Sequence, residues 1–106
     1  MSWKIEYTTA ADSDLSALDG SQRKQVLAAI KKVSENPLPK NEGGMGNPLG
    51  NKHGSNLTGY CKIKLLKLGL RVVYELVRID NVMKIIVIAI RSDDEVYRLA
   101  AKRTEK

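Results

Sequence analysis

Cysteine occurs once in the 106 residues, at Cys61, so the chain closes no disulfide within itself and carries no zinc framework. Cys61 alternates with Lys62 on the apolar side of its run and reads as a small core residue. Histidine also occurs once, at His53 in a Gly-rich stretch. The longest apolar run, residues 85–90, falls far short of the roughly 20 residues of a membrane helix. The opening Met1-Ser-Trp3-Lys4-Ile5-Glu6-Tyr7 alternates like an amphipathic strand and lacks the apolar stretch of a secretory signal. These absences lead us to expect a soluble cytoplasmic protein with no membrane partner, no metal and no cofactor.

Positive charge is abundant. Eighteen Lys and Arg against twelve Asp and Glu give a net charge of +6, which favours a polyanionic partner, either nucleic acid or an acidic protein. The length allows one core and one domain, spanning residues 1–106.

Periodicity orders the elements. Trp3 to Tyr7 reads as a first strand, and Thr9-Ala-Ala-Asp12 has capping-box spacing for a short helix that turns Ala11, Leu15 and Leu18 inward. Asp19-Gly20 interrupts it, and over residues 21–36 Val26, Ala29, Ile30 and Val33 recur at helical spacing. Pro37 and Pro39 end this second helix, and residues 40–56 are rich in Gly, Asn and Pro, predicting a long surface loop. Strands are predicted over 57–65, 70–77 and 82–90, with Asp80-Asn81 as a turn. Residues 85–90 are apolar on both faces, so the last strand is expected to lie centrally. Ser92-Asp93-Asp94-Glu95 has capping-box spacing for a terminal helix ending in Lys102 and Arg103. The expected fold is α+β, in the order β-α-α-β-β-β-α: a small, largely antiparallel sheet with an N-terminal helical hairpin and a C-terminal helix.

The hairpin concentrates the charge. Lys62 and Lys64 alternate with Ile63 and Leu65, while Arg71, Val73 and Glu75 alternate with Val72, Tyr74 and Leu76. If Leu66 to Gly69 form a four-residue turn, Lys64 lies opposite Arg71, Leu65 opposite Leu70 and Ile63 opposite Val72; a two-residue turn shifts the register but keeps the same faces. Like charges directly opposite destabilise a sheet by up to ~1 kcal/mol, so this cluster calls for a neutralising anion. The alternative is a solvated face whose lysines block edge pairing. Tyr60 and Tyr74 read as packing residues.

With Arg91 at the end of the last strand and Tyr97 in the helix beyond it, the chain resembles the RelE family of toxins, in the RelE/ParE superfamily of toxin–antitoxin modules. The resemblance runs through Pro48-Leu-Gly50, Leu57-Thr-Gly-Tyr60-Cys-Lys62-Ile-Lys64-Leu, Gly69-Leu-Arg71-Val-Val-Tyr74 and residues 91–97, carried by their joint order and spacing. It implies a microbial-RNase-like fold and a metal-independent endoribonuclease that cuts mRNA in the ribosomal A site. A ribose 2′-hydroxyl attacks its adjacent phosphate, leaving a 2′,3′-cyclic phosphate and a 5′-hydroxyl. By the same resemblance Lys62 and Lys64 are the paired lysines, Arg71 the transition-state arginine, Arg91 the proposed general acid and Tyr97 the aromatic that stacks on or orients a base. Lys52, His53 and Lys67 are the implied RNA contacts, and the implied partners are a cognate antitoxin, mRNA and the 70S ribosome with its rRNA.

The chemistry needs a proton acceptor, cations around a phosphorane-like transition state, and a donor for the leaving oxygen. Lysine ordinarily deprotonates only near pH ~10.4, but neighbouring like charges disfavour its protonated form, so crowding of Lys64 by Arg71 and Lys62 is expected to free some amine. A guanidinium hardly deprotonates, which makes Arg91 more effective as an electrostatic stabiliser than as an acid. Each role has a plainer alternative: Lys62 and Lys64 as phosphate binders only, Arg91 as an ion-pair partner of Asp93 or Asp94, Tyr97 as a core aromatic, His53 as a surface group. Ser92-Asp93-Asp94 is more acidic than in several relatives, and the 40–56 loop is longer than in the shortest ones. Two other functions stay open: a ParE-like inhibitor of DNA gyrase, and a basic RNA-binding module without catalysis.

Overall fold

Alternating apolar residues along β-strands, with one strand apolar on both faces, build a sheet covered on two sides. The computed structural model describes residues 2–50, 57–90 and 93–104. Its elements are β1 (Lys4–Tyr7), α1 (Thr9–Ser16), α2 (Gly20–Val33), a 3-10 turn at Lys40–Glu42, β2 (Asn47–Gly50), β3 (Leu57–Leu65), a 3-10 turn at Leu66–Leu68, β4 (Leu70–Val77), β5 (Val82–Ala89) and α3 (Asp93–Arg103). The strand order is β1-β5-β4-β3-β2. Only the β1–β5 pair is parallel; the other three are antiparallel. This is the expected α+β fold, and none of the described helices is long and apolar enough to cross a membrane.

On one face α1 and α2 bring Ala11, Leu18, Val26, Ile30 and Val33 down onto Cys61, Ile63, Val72, Tyr74, Met83 and Ile85. On the other, α3 sets Val96, Tyr97 and Ala100 against Leu49, Val73, Ile86 and Val87. Both faces of β5 are therefore covered, as its unbroken apolar run predicts, at ~1.5–3 kcal/mol for each fully buried Val or Ile. A bulge makes this possible. Val73 pairs with Val87 and Tyr74 with Ile85, leaving Ile86 as an extra residue, so Ile86 and Val87 both turn toward α3 while Ile85 and Ile88 face the helical hairpin.

Local chemistry fixes the helix ends. Thr8 caps α1, its Oγ1 accepting from Ala11 N–H at 3.0 Å. The cap thus falls one residue before the expected Thr9, because Thr8 N–H is still donating to Ile85 O at 3.1 Å as the chain leaves the sheet. At α2 the Asp19–Gln22 capping box forms in full, with bonds of 2.8 and 3.4 Å. Arg23 donates back to the carbonyls of Leu15, Ser16 and Leu18, closing the C-terminal end of α1 onto α2. The second helix ends at Val33 rather than Asn36, since the residue before Pro37 is steered out of the helical region.

The predicted 40–56 loop holds a strand. Met45 N–H donates to Asn36 O, Gly46 N–H to Leu38 O and Lys40 N–H to Gly46 O, each at 2.9 Å, folding the segment back so that β2 pairs with β3. Gly46 is required here, because a Cβ would stand 2.3 Å from the Tyr74 hydroxyl and 2.8 Å from Pro37 O. Pro48, which has no N–H to give, sits where a proline is tolerated, on the edge strand.

Candidate functional site

The β3–β4 turn decides which charges meet. Gly69, at φ +66, closes the turn in the left-handed region, its N–H donating to Leu66 O at 3.2 Å. The resulting register is the four-residue one: Leu65 opposite Leu70, Lys64 opposite Arg71, Ile63 opposite Val72, Lys62 opposite Val73. Lys62, Lys64 and Arg71 thus share one sheet face, the two lysines ~7 Å apart along the strand. Arg71 bends toward the turn, donating to Gly69 O at 3.4 Å.

The α3 helix stops short of this corner. It covers Val73, leaving Lys64 exposed and Lys62 and Arg71 half-buried. Tyr97, only 3% exposed, packs with Val73, Val87, Val96 and Ala100. Its hydroxyl meets the Lys62 ammonium, which also lies 4.9 Å from the centre of the Tyr97 ring. That double contact holds the end of a flexible side chain in place; a cation on an aromatic face contributes ~0.5–2 kcal/mol. With its ring faces buried, Tyr97 presents its hydroxyl edge to the site rather than a stacking platform.

Beyond the hairpin half of the face the cations Lys62, Lys64 and Arg71 give way to mixed charge. One step further from the turn Tyr60 pairs with Glu75, and Glu75 with Lys84. Burial, with the Glu75 carboxylate adding to it, pushes the Tyr60 phenol up, so this end carries a neutral phenol beside the Glu75–Lys84 pair. Lys67 sits exposed at the hairpin tip, on a hollow of about 300 Å³ that Lys64 shares with Gln25, Leu65, Leu66 and Leu68. Arg91, Lys52 and His53 lie outside the described residues. Among the described residues no three His, Cys, Asp or Glu side chains gather as metal ligands.

Of the residues read as packing residues, Tyr74 and Cys61 are inside, whereas Tyr60 is only partly buried against the α3 side of the core. Tyr74 is fully buried and donates to Pro37 O at 2.7 Å; burial pushes its phenol up, so it remains a donor. Cys61 is buried beside it, its thiol likewise pushed up by desolvation. A further pair escaped sequence reasoning: Asp14 of α1 and Arg103 of α3, joined at 2.7 Å across 89 residues of chain. Arg103 reads only as a helix-terminal cation, and Asp14 carries no local signal.

The arrangement offers cations to a phosphate through a fork, two ammonium groups and a phenol hydroxyl. Comparison with known proteins bears on the family and the fold. The family model of the ParE toxin of type II toxin–antitoxin systems, parDE, matches residues 5–97. A double arginine-to-alanine variant of the E. coli toxin RelE in the free state superposes with a TM-score of 0.76 at 25% identity, over 99% of this chain and 100% of that one. The isolated E. coli RelE toxin gives 0.69 at 24% identity, over 95% and 97%. The RelBE2 toxin–antitoxin complex of Mycobacterium tuberculosis gives 0.68 at 21%, over 88% and 95%. No curated protein sequence matches the chain significantly. A family match across nearly all of the sequence, on a fold shared with RelE, means that the chain belongs to the ParE toxin family of type II toxin–antitoxin systems, within the RelE/ParE superfamily.

Proposed function

We propose that this type II toxin is a ribosome-dependent endoribonuclease that cuts mRNA in the A site, and that Lys62, Lys64 and Arg71 are the centre of its active site. The observation that carries the proposal is the register that sets Lys64 opposite Arg71 and beside Lys62 on one face. A gyrase poison acting by protein contact has no need of three cations on one face of the hairpin. Transesterification does need them: as the 2′-oxygen bonds to phosphorus and the bond to the 5′-oxygen breaks, negative charge builds on the non-bridging oxygens. In this reading Arg71 and Lys64 bracket those oxygens, in geometry that a preorganised site makes worth far more than in water. Lys62, steadied by the Tyr97 hydroxyl, faces the 2′-oxygen or its phosphate. By the family resemblance Arg91 would act on the leaving oxygen and Lys67, Lys52 and His53 would contact RNA; Arg91, Lys52 and His53 lie outside the described residues. The reaction yields a 2′,3′-cyclic phosphate and a 5′-hydroxyl, with one proton leaving the 2′-hydroxyl and one arriving at the 5′-oxygen.

A cognate antitoxin completes the module. Solved complexes pair RelE-type toxins with their antitoxins, and a chain of net charge +6 fits a partner with an acidic toxin-binding segment.

One observation favours a second reading, inhibition of DNA gyrase: the matching family model is that of ParE. In-vitro translation on programmed ribosomes separates the two. Wild type is expected to cleave the message at codon-phased positions and Arg71→Ala to cleave it about 10²- to 10³-fold more slowly, the usual cost of removing one preorganised charge donor. Equal rates for the two proteins would remove Arg71 from the site. Intact messages together with inhibited supercoiling would establish the gyrase reading.

A further inference from the structure

β1 ends at Tyr7, opposite Ile85, so beyond that point β5 has no strand on this side. Side chains complete its edge. Ile88 N–H donates to Asp14 Oδ2 at 3.0 Å, and the Arg103 guanidinium donates to Ile86 O at 2.9 Å. Arg103 also grips both carboxylate oxygens of Asp14, at 2.7 and 3.2 Å. Both side chains are about four-fifths buried, at 21% and 19% exposure. Three elements, α1, β5 and the last turn of α3, are therefore tied at one point just past the β5 bulge.

The tie constrains α3 in a way its apolar contacts do not. The helix buries Val96, Tyr97 and Ala100, a short and partly small-residue face whose apolar driving force is non-directional. A forked, charge-assisted contact fixes both position and rotation. Along the same helix, Tyr97 places its hydroxyl on the Lys62 ammonium. We infer that Asp14 and Arg103 are positioning residues for the cation cluster, anchoring α3 so that the Tyr97 hydroxyl holds Lys62 in line with Lys64 and Arg71. The inference rests on reading that cluster as the active site.

Two measurements on the intact toxin test it. The first needs no activity: the ¹³Cζ resonance of Tyr97 in the free protein, compared among wild type, Arg103→Met and Arg103→Lys. It is expected to shift in Arg103→Met and to move part of the way back in Arg103→Lys, which keeps the charge but loses the fork. The second is single-turnover cleavage on programmed ribosomes. Arg103→Met is expected to lower the rate about tenfold with ribosome affinity unchanged, since sub-ångström misplacement acts on the reacting geometry. In a Tyr97→Phe background the same substitution is expected to cost less than about twofold, because residues acting through one contact are not additive. A Tyr97 resonance that stays put in a folded variant, or equal losses in both backgrounds, overturns the inference. If Arg103→Met does not fold, Arg103→Lys carries both measurements with the same expected directions. If wild type itself leaves messages intact, the nuclease reading fails while the Tyr97 resonance still decides whether Arg103 sets that side chain.

Discussion

Tyr74 shows how much one side chain does in a core this small. It is fully buried, its hydroxyl donates to Pro37 O at 2.7 Å, and it fills the space that Gly46 leaves open, so it joins β4 to the segment that delivers β2. Tyr74→Phe keeps the ring but strands a buried carbonyl, with an expected loss of ~1–3 kcal/mol in urea unfolding at neutral pH. The same residue makes stability fall in alkali. Burial raises the folded-state pKa of Tyr74 above that of the unfolded chain, so its contribution is complete below pH ~10 and is lost as pH rises from there toward the folded value. Cys61, raised by the same cause, begins to act from pH ~8.5. Unfolding curves between pH 8 and 11 should therefore slope down for wild type and less steeply for Tyr74→Phe; parallel curves would mean that another group governs the alkaline limb. Both residues were legible as inward-facing, because period-two alternation assigns every position of a strand once a few are apolar. Tyr97 was not: a ring on a helix next to a site packs inward or faces a ligand with the same spacing, and only the fit of α3 against Val73 and Val87 settles that it is buried.

The elements the sequence announced best are those stabilised by their own residues. The β3–β4 hairpin kept its expected limits and faces because alternation on either side of Gly69 specifies them, while the choice of the four-residue register over a two-residue one fell to the turn that Gly69 closes. The missed strand β2 has no such local pattern. It exists because residues 36–46 fold back on themselves and offer Leu49 to α3, a tertiary cause that a Gly- and Pro-rich stretch conceals. The β5 bulge is equally silent, since apolar residues 85–90 fit either face. The cap of α1 lies between these cases: Thr8 and Thr9 both suit the role, and the bond from Thr8 N–H to Ile85 O chooses Thr8. Thr8→Ala is accordingly expected to cost ~0.5–2 kcal/mol in thermal or urea unfolding, and the exposed Thr9→Ala only a few tenths (about 0.3). The reverse order would put the cap back where the capping-box spacing placed it.

At the scale of the whole molecule, charge is distributed by the sheet. Composition reveals the net +6 but not its location, and alternation within the hairpin locates part of it at Lys62, Lys64 and Arg71. The Asp14–Arg103 tie stayed invisible because its partners stand 89 positions apart, and no local pattern reports such a contact. If the cluster grips RNA phosphates, its cations displace condensed counterions and diffuse surface charge does not. Lys4 is the natural control. It is exposed and lies on β1, three strands from β3 and therefore ~14 Å across the sheet, with Glu6 at 4.0 Å. Binding to mRNA-programmed ribosomes, followed against salt, should weaken with a slope that falls by about 0.7 in Lys64→Ala, the value for one phosphate contact on a single strand. Lys4→Ala removes the same formal charge from the protein and should leave the slope within error of wild type. Equal changes in the two variants would assign the salt dependence to net charge and detach the cluster from RNA binding; a change confined to Lys64 would tie it to that corner of the sheet.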